Sequence, residues 1–281
     1  MTRILLPSVV AVSLALSACS GSTTSTEPST ASTAQGALTT APVAPQVKGH
    51  IRAVADALSS VPLRADQRTD IEQMATDADT RHTAARAAHA QLAEAIAAQI
   101  EAGAIDRAAL LPKIDATADA LATSRPADRA ALLHLHAILT ADQRAQFVDA
   151  MQSRRKAKHE GHGMHGRMEQ WAKDLQLTDD QRTQITAIVK AQFSAHKDAM
   201  HAMHDAHEHG HDFMDSFKSD QLAPPRPADD ARAHANRRAD SFLGIATQVL
   251  PLLTPAQRAL AATKIRARVQ AGEEDVPSLG E

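Results

Sequence analysis

Leu177-Thr178-Asp179-Asp180-Gln181-Arg182 carries the instruction for a helix start. A Thr followed three residues later by Gln is a capping box: the Thr oxygen accepts from the N3 amide, and the Gln reaches back to the Thr amide. The same phrase occurs as Leu63-Arg64-Ala65-Asp66-Gln67-Arg68, Leu139-Thr140-Ala141-Asp142-Gln143-Arg144 and Leu253-Thr254-Pro255-Ala256-Gln257-Arg258. The first and third copies, and the second and fourth, stand 114 residues apart (177 − 63 and 253 − 139), and each pair is separated internally by 76 (139 − 63 and 253 − 177). This regularity implies an internal duplication, with one repeat over 49–158 and a second over 159–272. Thr140, Thr178 and Thr254 are the expected N-caps, and Pro255 sits at N1, where its missing N–H costs nothing. In the first copy Arg64 replaces Thr, so that helix start is expected to lack its side-chain cap.

Downstream of Gln67, apolar residues and histidines recur at steps of three and four from Ile71 through His82 and His89 to Ile100. That is one amphipathic helix of about 36 residues, roughly 54 Å long. The second copy repeats the pattern from Ile185 through Phe193 and Met203 to Met214. Further helices are expected near 106–138 and 228–250, with Pro126 breaking or kinking the first of them. Short amphipathic helices near 50–60 and 164–175 precede the first phrase of each copy. No stretch has the β-branched alternation of a strand, so the chain reads as all-α.

Composition narrows the class. Thirty basic against 33 acidic side chains, a formal charge of −3, give no electrostatic footprint for nucleic acid, which is excluded as a partner. A single cysteine cannot form an internal disulfide or a thiolate cluster. Six aromatics and abundant alanine imply thin helical layers, because alanine buries little area.

Arg3 followed by the apolar stretch Ile4–Leu16 has the order of an export signal, here assigned to residues 1–18. Leu16-Ser17-Ala18-Cys19 resembles a bacterial lipobox, which makes Cys19 the lipid acceptor and first mature residue. Ser20 after the cysteine points, by analogy with lipoprotein sorting, to the outer membrane. Residues 19–48 are Ser, Thr, Ala and Pro with few charges, and read as a disordered tether reaching about 30 Å. Residues 273–281 read as a flexible tail.

Four LTxxQ-like phrases after an export signal, bracketing long amphipathic helices with Met/His-rich stretches, resemble the Spy/CpxP family of bacterial envelope proteins. The resemblance covers nearly all of 50–272 and rests on Leu139, Thr140, Gln143, Leu177, Thr178, Gln181, Leu253, Thr254 and Gln257. It implies a thin, curved helical cradle made by an antiparallel homodimer, which binds partly unfolded clients without ATP in envelope stress or metal responses. With the phrase doubled, two tandem helical hairpin repeats in one chain are expected to supply both halves as a pseudo-dimer.

Of fifteen histidines, nine lie between His159 and His211. His159, His162, Met164 and His165 fall in a Gly-broken segment expected to wrap an ion. His196, Met200, His204, His207, His211 and Met214 step by three or four, which places them on one helix face. Imidazole suits Zn²⁺, Ni²⁺ or Cu²⁺, and thioether adds affinity for Cu⁺; no cofactor is required otherwise. The bland alternative is an apolar stripe with solvated histidines. His207-Glu208-His209-Gly210-His211 matches HExxH, yet Gly210 weakens the helix that must present both ligands and no third ligand follows, so a protease is not expected. Neither a nucleophile triad nor a phosphate-binding Gly loop is present, and the chain is not expected to be an enzyme. His82, His89, His134 and His136 read as packing histidines. The expectation is a lipid-anchored periplasmic chaperone for unfolded envelope proteins, with a sensor kinase as a further partner. The alternative is a heavy-metal sensor or buffer.

Overall fold

All four phrases start helices in the structure, a computed structural model that describes residues 37–162, 164–195, 214–222 and 231–271. The chain divides into units 1–35 and 36–281, and the described residues lie in the second. The helices are α1 (Gly49–Leu58), α2 (Ala65–Arg81), α3 (Thr83–Ala102), α4 (Arg107–Ile138), α5 (Ala141–His162), α6 (Met164–Asp174), α7 (Asp179–Ala195), α8 (Ala231–Val249) and α9 (Pro255–Gln270). A 3₁₀ turn, Leu250–Leu252, leads toward α9, and residues 214–218 are helical. The described residues contain no strand, only an isolated bridge between Thr39 and Leu63. The fold is all-α.

Four expectations need correction. The long helix from 65 to 102 is interrupted at His82 (φ −82°, ψ −2°), where the backbone flattens between α2 and α3. The cause is tertiary: the His82 ring is buried and its Nε2 lies 2.8 Å from Asp128 on α4. Conversely, α4 runs unbroken through Pro112 and Pro126. Pro126 is exposed and Ala122, whose carbonyl it leaves without an intrahelical donor, is only half-buried, which fits a lowered cost for an internal proline. The segment expected to be broken by glycines is helical on both sides of 163: α5 continues to His162, past the expected boundary at 158, and α6 begins at Met164.

The fourth correction is to the tether. Residues 37–48 are a packed strap. Val43, Ala44 and Val47 are buried among α1 and α2 residues of the first core. Thr39 and Leu63 exchange two backbone hydrogen bonds of 3.0 Å, and the Val43 amide donates to Ser59 Oγ at 2.9 Å. Composition concealed this because the apolar surface that the strap covers belongs to other elements.

Two cores follow the phrases. Leu58, Val61, Leu63, Leu139 and Phe147 in the first stand 114 residues before Ala172, Leu175, Leu177, Leu253 and Ala261 in the second. Between them α4 packs on α8 through Leu110, Ile114 and Leu243. Arg107–Asp240, Asn236–Asp115 and Arg232–Asp119 line that contact, so the two helices run antiparallel. Hydrogen bonds from Arg232 hold the Asp119 carboxyl below the usual carboxylate range.

Each core also takes residues from the opposite half of the chain. Ile100, at the end of α3, enters the second core. Met214, in the same register 114 residues on, packs against the first core, where Phe217 is fully buried beside Phe147. The helix-end residues of each half are therefore seated on the phrases of the other.

Candidate functional site

The most ordered polar chemistry lies where paired phrases meet. In the first node the Gln67 and Gln143 side chains form a reciprocal amide pair, with Nε2 to Oε1 distances of 2.8 and 3.0 Å. Gln67 Nε2 also donates to the Ile138 carbonyl at 2.6 Å, and Gln143 Nε2 to the Pro62 carbonyl at 2.7 Å. The two Oε1 atoms accept in addition from the amides of Arg64 and Thr140. Every donor and both oxygens of the pair are thus used, which a buried amide requires. Glutamate could not substitute, because it lacks the donors and two carboxylates would repel.

The second node repeats this geometry. Gln181 and Gln257 pair at 3.0 and 3.1 Å, with Gln181 Nε2 donating to Leu252 O at 2.7 Å and Gln257 Nε2 to Gln176 O at 3.4 Å. Each partner stands 114 residues after its counterpart in the first node. The Thr oxygens of Thr140, Thr178 and Thr254 accept from the amides of Gln143, Gln181 and Gln257 at 3.3, 3.2 and 3.3 Å. Arg64 has no acceptor to offer, so only the Gln67 half of its box forms, and its guanidinium turns to Asp66 instead. The four phrase leucines, Leu63, Leu139, Leu177 and Leu253, are all buried.

The arginines after two of these glutamines hold the incoming helix ends. Arg144 and Arg258 donate to the Leu139 and Leu253 carbonyls at 3.1 and 2.9 Å. Arg144 also pairs with Asp220, while His136 Nε2 meets the Ser219 carbonyl at 2.8 Å and Lys218 meets Asp149 at 3.1 Å. At the second node the Arg258 guanidinium lies against Gly103, where a Cβ would come within 3.1 Å of it. Gly103 has φ +81°, so this position ends α3 in the left-handed conformation and admits Arg258 at once. Arg266 adds ion pairs to Glu94 and Glu101 at 3.0 and 3.1 Å. The Arg266 hydrogen bonds hold Glu94 below its ordinary pKa. The sequence reading missed these roles; the recurrence of Arg directly after Gln in every phrase was the available signal.

His82 joins a second polar cluster. Asp128 accepts from Arg81 at 3.0 Å and lies 2.8 Å from His82, whose ring meets that of His50 edge-on at 4.6 Å. Burial pushes the Asp128 carboxyl up, but hydrogen bonds from Ser124, Arg81 and His82 outweigh it and leave the carboxyl below its usual range. His82 and His136 are packing histidines with polar partners. Trp171 is half-buried on the second core, under the Arg268 guanidinium at 5.3 Å.

A shallow apolar groove of about 530 Å³ opens between α3 and α4, lined by Ala90, Gln91, Glu94, Ala95, Ala98 and Lys113. On α4, Leu121 and Leu133 are exposed. Of the expected metal ligands, His196, Met200, His204, His207 and His211 lie outside the described residues, as does Cys19. His159, His162, Met164 and His165 fall on α5 and α6, where the backbone alone is described. Met214 is half-buried against the first core. Among the described residues no group of three or more His, Cys, Asp or Glu could hold a metal ion, and no helix is long and apolar enough to cross a membrane.

Comparison with known proteins agrees with the phrases. Residues 163–264 match the family model described as LTXXQ motif family protein. In this segment the chain is similar to the LTXXQ, Spy/CpxP-type family. The match takes in the second node, from just before α6 into α9, and proteins of this type are typically periplasmic. No curated protein and no solved structure matches the chain.

Proposed function

We propose that the chain is a non-enzymatic, ATP-independent periplasmic chaperone of the Spy/CpxP type, tethered to the outer membrane through lipid on Cys19, that holds unfolded envelope proteins. The supporting observation is the pair of LTxxQ nodes on an all-α body that exposes alanine-lined and leucine-bearing helix surface. Exposed apolar surface flanked by charged side chains suits weak, sequence-tolerant contacts. The 114-residue repetition of hydrogen bonds, cores and seated helix ends favours reading the two halves as a duplicated pseudo-dimer, in which one chain does what two copies do in the family. The mature protein at several-fold excess should suppress aggregation of a chemically unfolded model protein; absence of any suppression would sink the chaperone reading.

The alternative is a metal sensor or buffer. It is favoured by His196, Met200, His204, His207, His211 and Met214 falling at helical spacing, a donor set suited to Zn, Cu or Ni. Isothermal titration with each ion, before and after replacing His204, His207 and His211 by Ala, decides it; unchanged affinity clears those residues of the role.

A further inference from the structure

The strap covers the first node, and among the described residues no such segment lies on the second. Its seat is defined by hydrogen bonds. Arg68 donates to the carbonyls of Thr39, Ala41 and Pro42 at 3.1, 3.0 and 3.3 Å, and the Lys48 amide donates to Asp79 Oδ1 at 3.2 Å. Arg68, Glu72, Ala75 and Asp79 fall on one face of α2 at steps of three and four. The strap passes along that face.

The same register on α7 is Arg182, Thr186, Val189 and Phe193. Arg182 is the residue that corresponds to Arg68. Its side chain is 45% exposed against 16% for Arg68, and among the described residues its guanidinium meets only the fully exposed Asp179, at 4.0 Å. Val189 and Ile188 are partly exposed and belong to neither described core, whereas their counterparts Ala75 and Met74 pack on the first core alongside the strap. Leu177 and Ile185 continue the apolar surface toward the node. Glu169 stands exposed where Ala55 is buried, which places a charge at the rim.

We propose that this α6–α7 face is a seat for a non-helical polypeptide segment of the strap's chemistry: mostly small or β-branched residues with proline, whose carbonyls accept from Arg182. The inference rests on the chaperone reading and names where an unfolded client's backbone is gripped. The chain's own residues 37–48 show what such a surface takes, since the equivalent face of the first node holds this segment through the main-chain carbonyls of Thr39, Ala41 and Pro42 and the buried side chains of Val43, Ala44 and Val47. Recognition through carbonyls is indifferent to client sequence, as binding of many clients demands.

The test uses the mature full chain and a fluorescently labelled peptide with the sequence of residues 37–48. Saturable binding is expected by fluorescence anisotropy, weakened at least fivefold by Arg182→Ala and by Val189→Asp, with circular dichroism confirming that both variants keep their helix content. Hydrogen–deuterium exchange should show peptide-dependent protection in 175–190. Absence of binding, binding indifferent to both substitutions, or protection confined to 61–75 overturns the proposal. Suppression of client aggregation is measured on the same proteins: if wild type and both variants suppress equally, the seat is overturned and the chaperone reading stands. If peptide binds at Arg182 while no protein suppresses aggregation, the seat stands and the chaperone reading falls.

Discussion

The two nodes share one hydrogen-bond plan and differ in how well it is covered. Gln67 is 1% exposed and Gln143 5%, whereas Gln181 and Gln257 are only half-buried. Phe147 and Leu58 of the first core are replaced in register by Ala261 and Ala172 in the second, and Val148 by the buried Ala262. The strap and Phe217 close the first node; beside the second stand Gly103 and an open Arg182 face. Identical polar geometry with unequal apolar cover implies unequal stability, because burial supplies most of the favourable energy. The first node is the better covered of the two, and the second is the more open.

The largest effect should come from emptying the first node. Phe217→Ala is expected to lower unfolding free energy by about 4 kcal/mol in urea, the scale for a fully buried Phe, while Ile100→Ala in the second core should cost about 2 to 3 kcal/mol. Equal losses would break the asymmetry. Next, Gln67→Ala leaves the Gln143 amide and the Ile138 carbonyl short of partners in a dry site and should cost about 3 kcal/mol. Gln181→Ala, where water reaches the orphaned groups, should cost about 1 kcal/mol.

Acid should act on the first half through Asp128. Its carboxyl is held below its ordinary value in the folded state, so the stability it contributes is complete above the unfolded pKa of about 3.9 and is lost as pH falls through the lower folded value. Thermal melts between pH 6 and pH 3 should show a falling midpoint, with a shallower fall in Asp128→Asn. The carboxylates of Glu94, Asp119 and Asp174 are also held low by hydrogen bonds from Arg266, Arg232 and Lys264, and they add to the remaining slope. The smallest difference concerns the caps. Thr140→Ala and Thr254→Ala remove the same N3 hydrogen bond and should each cost about 1 kcal/mol, alike in both nodes.

Legibility in the sequence followed the range of the forces involved. Helix starts at Thr140, Thr178 and Thr254 are local, so four residues suffice to read them. The pairing of Gln67 with Gln143 was half-visible: their spacing announced a repeat, but that the side chains face each other depends on how α2 and α5 cross. The interruption at His82 could not be read, because its apolar period continues unbroken and the carboxylate responsible sits 46 positions away on α4. The strap was hidden for a related reason. A run of Thr, Ala, Pro and Val cannot bury itself, and nothing local reveals that α1 and α2 leave a surface for it. Candidate ligands from His196 to His211 lie outside the described residues, so that part of the site is known from spacing alone.

Seating Ile100 on the second node and Phe217 on the first has a consequence for how the protein tolerates scarcity. When such an exchange joins separate chains, dilution pulls it apart, and folding depends on how much protein the cell makes. Here both contacts are made within one polypeptide, where a linker holds the partners at an effective concentration of about millimolar. The body therefore stays assembled whether the compartment contains ten molecules or ten thousand.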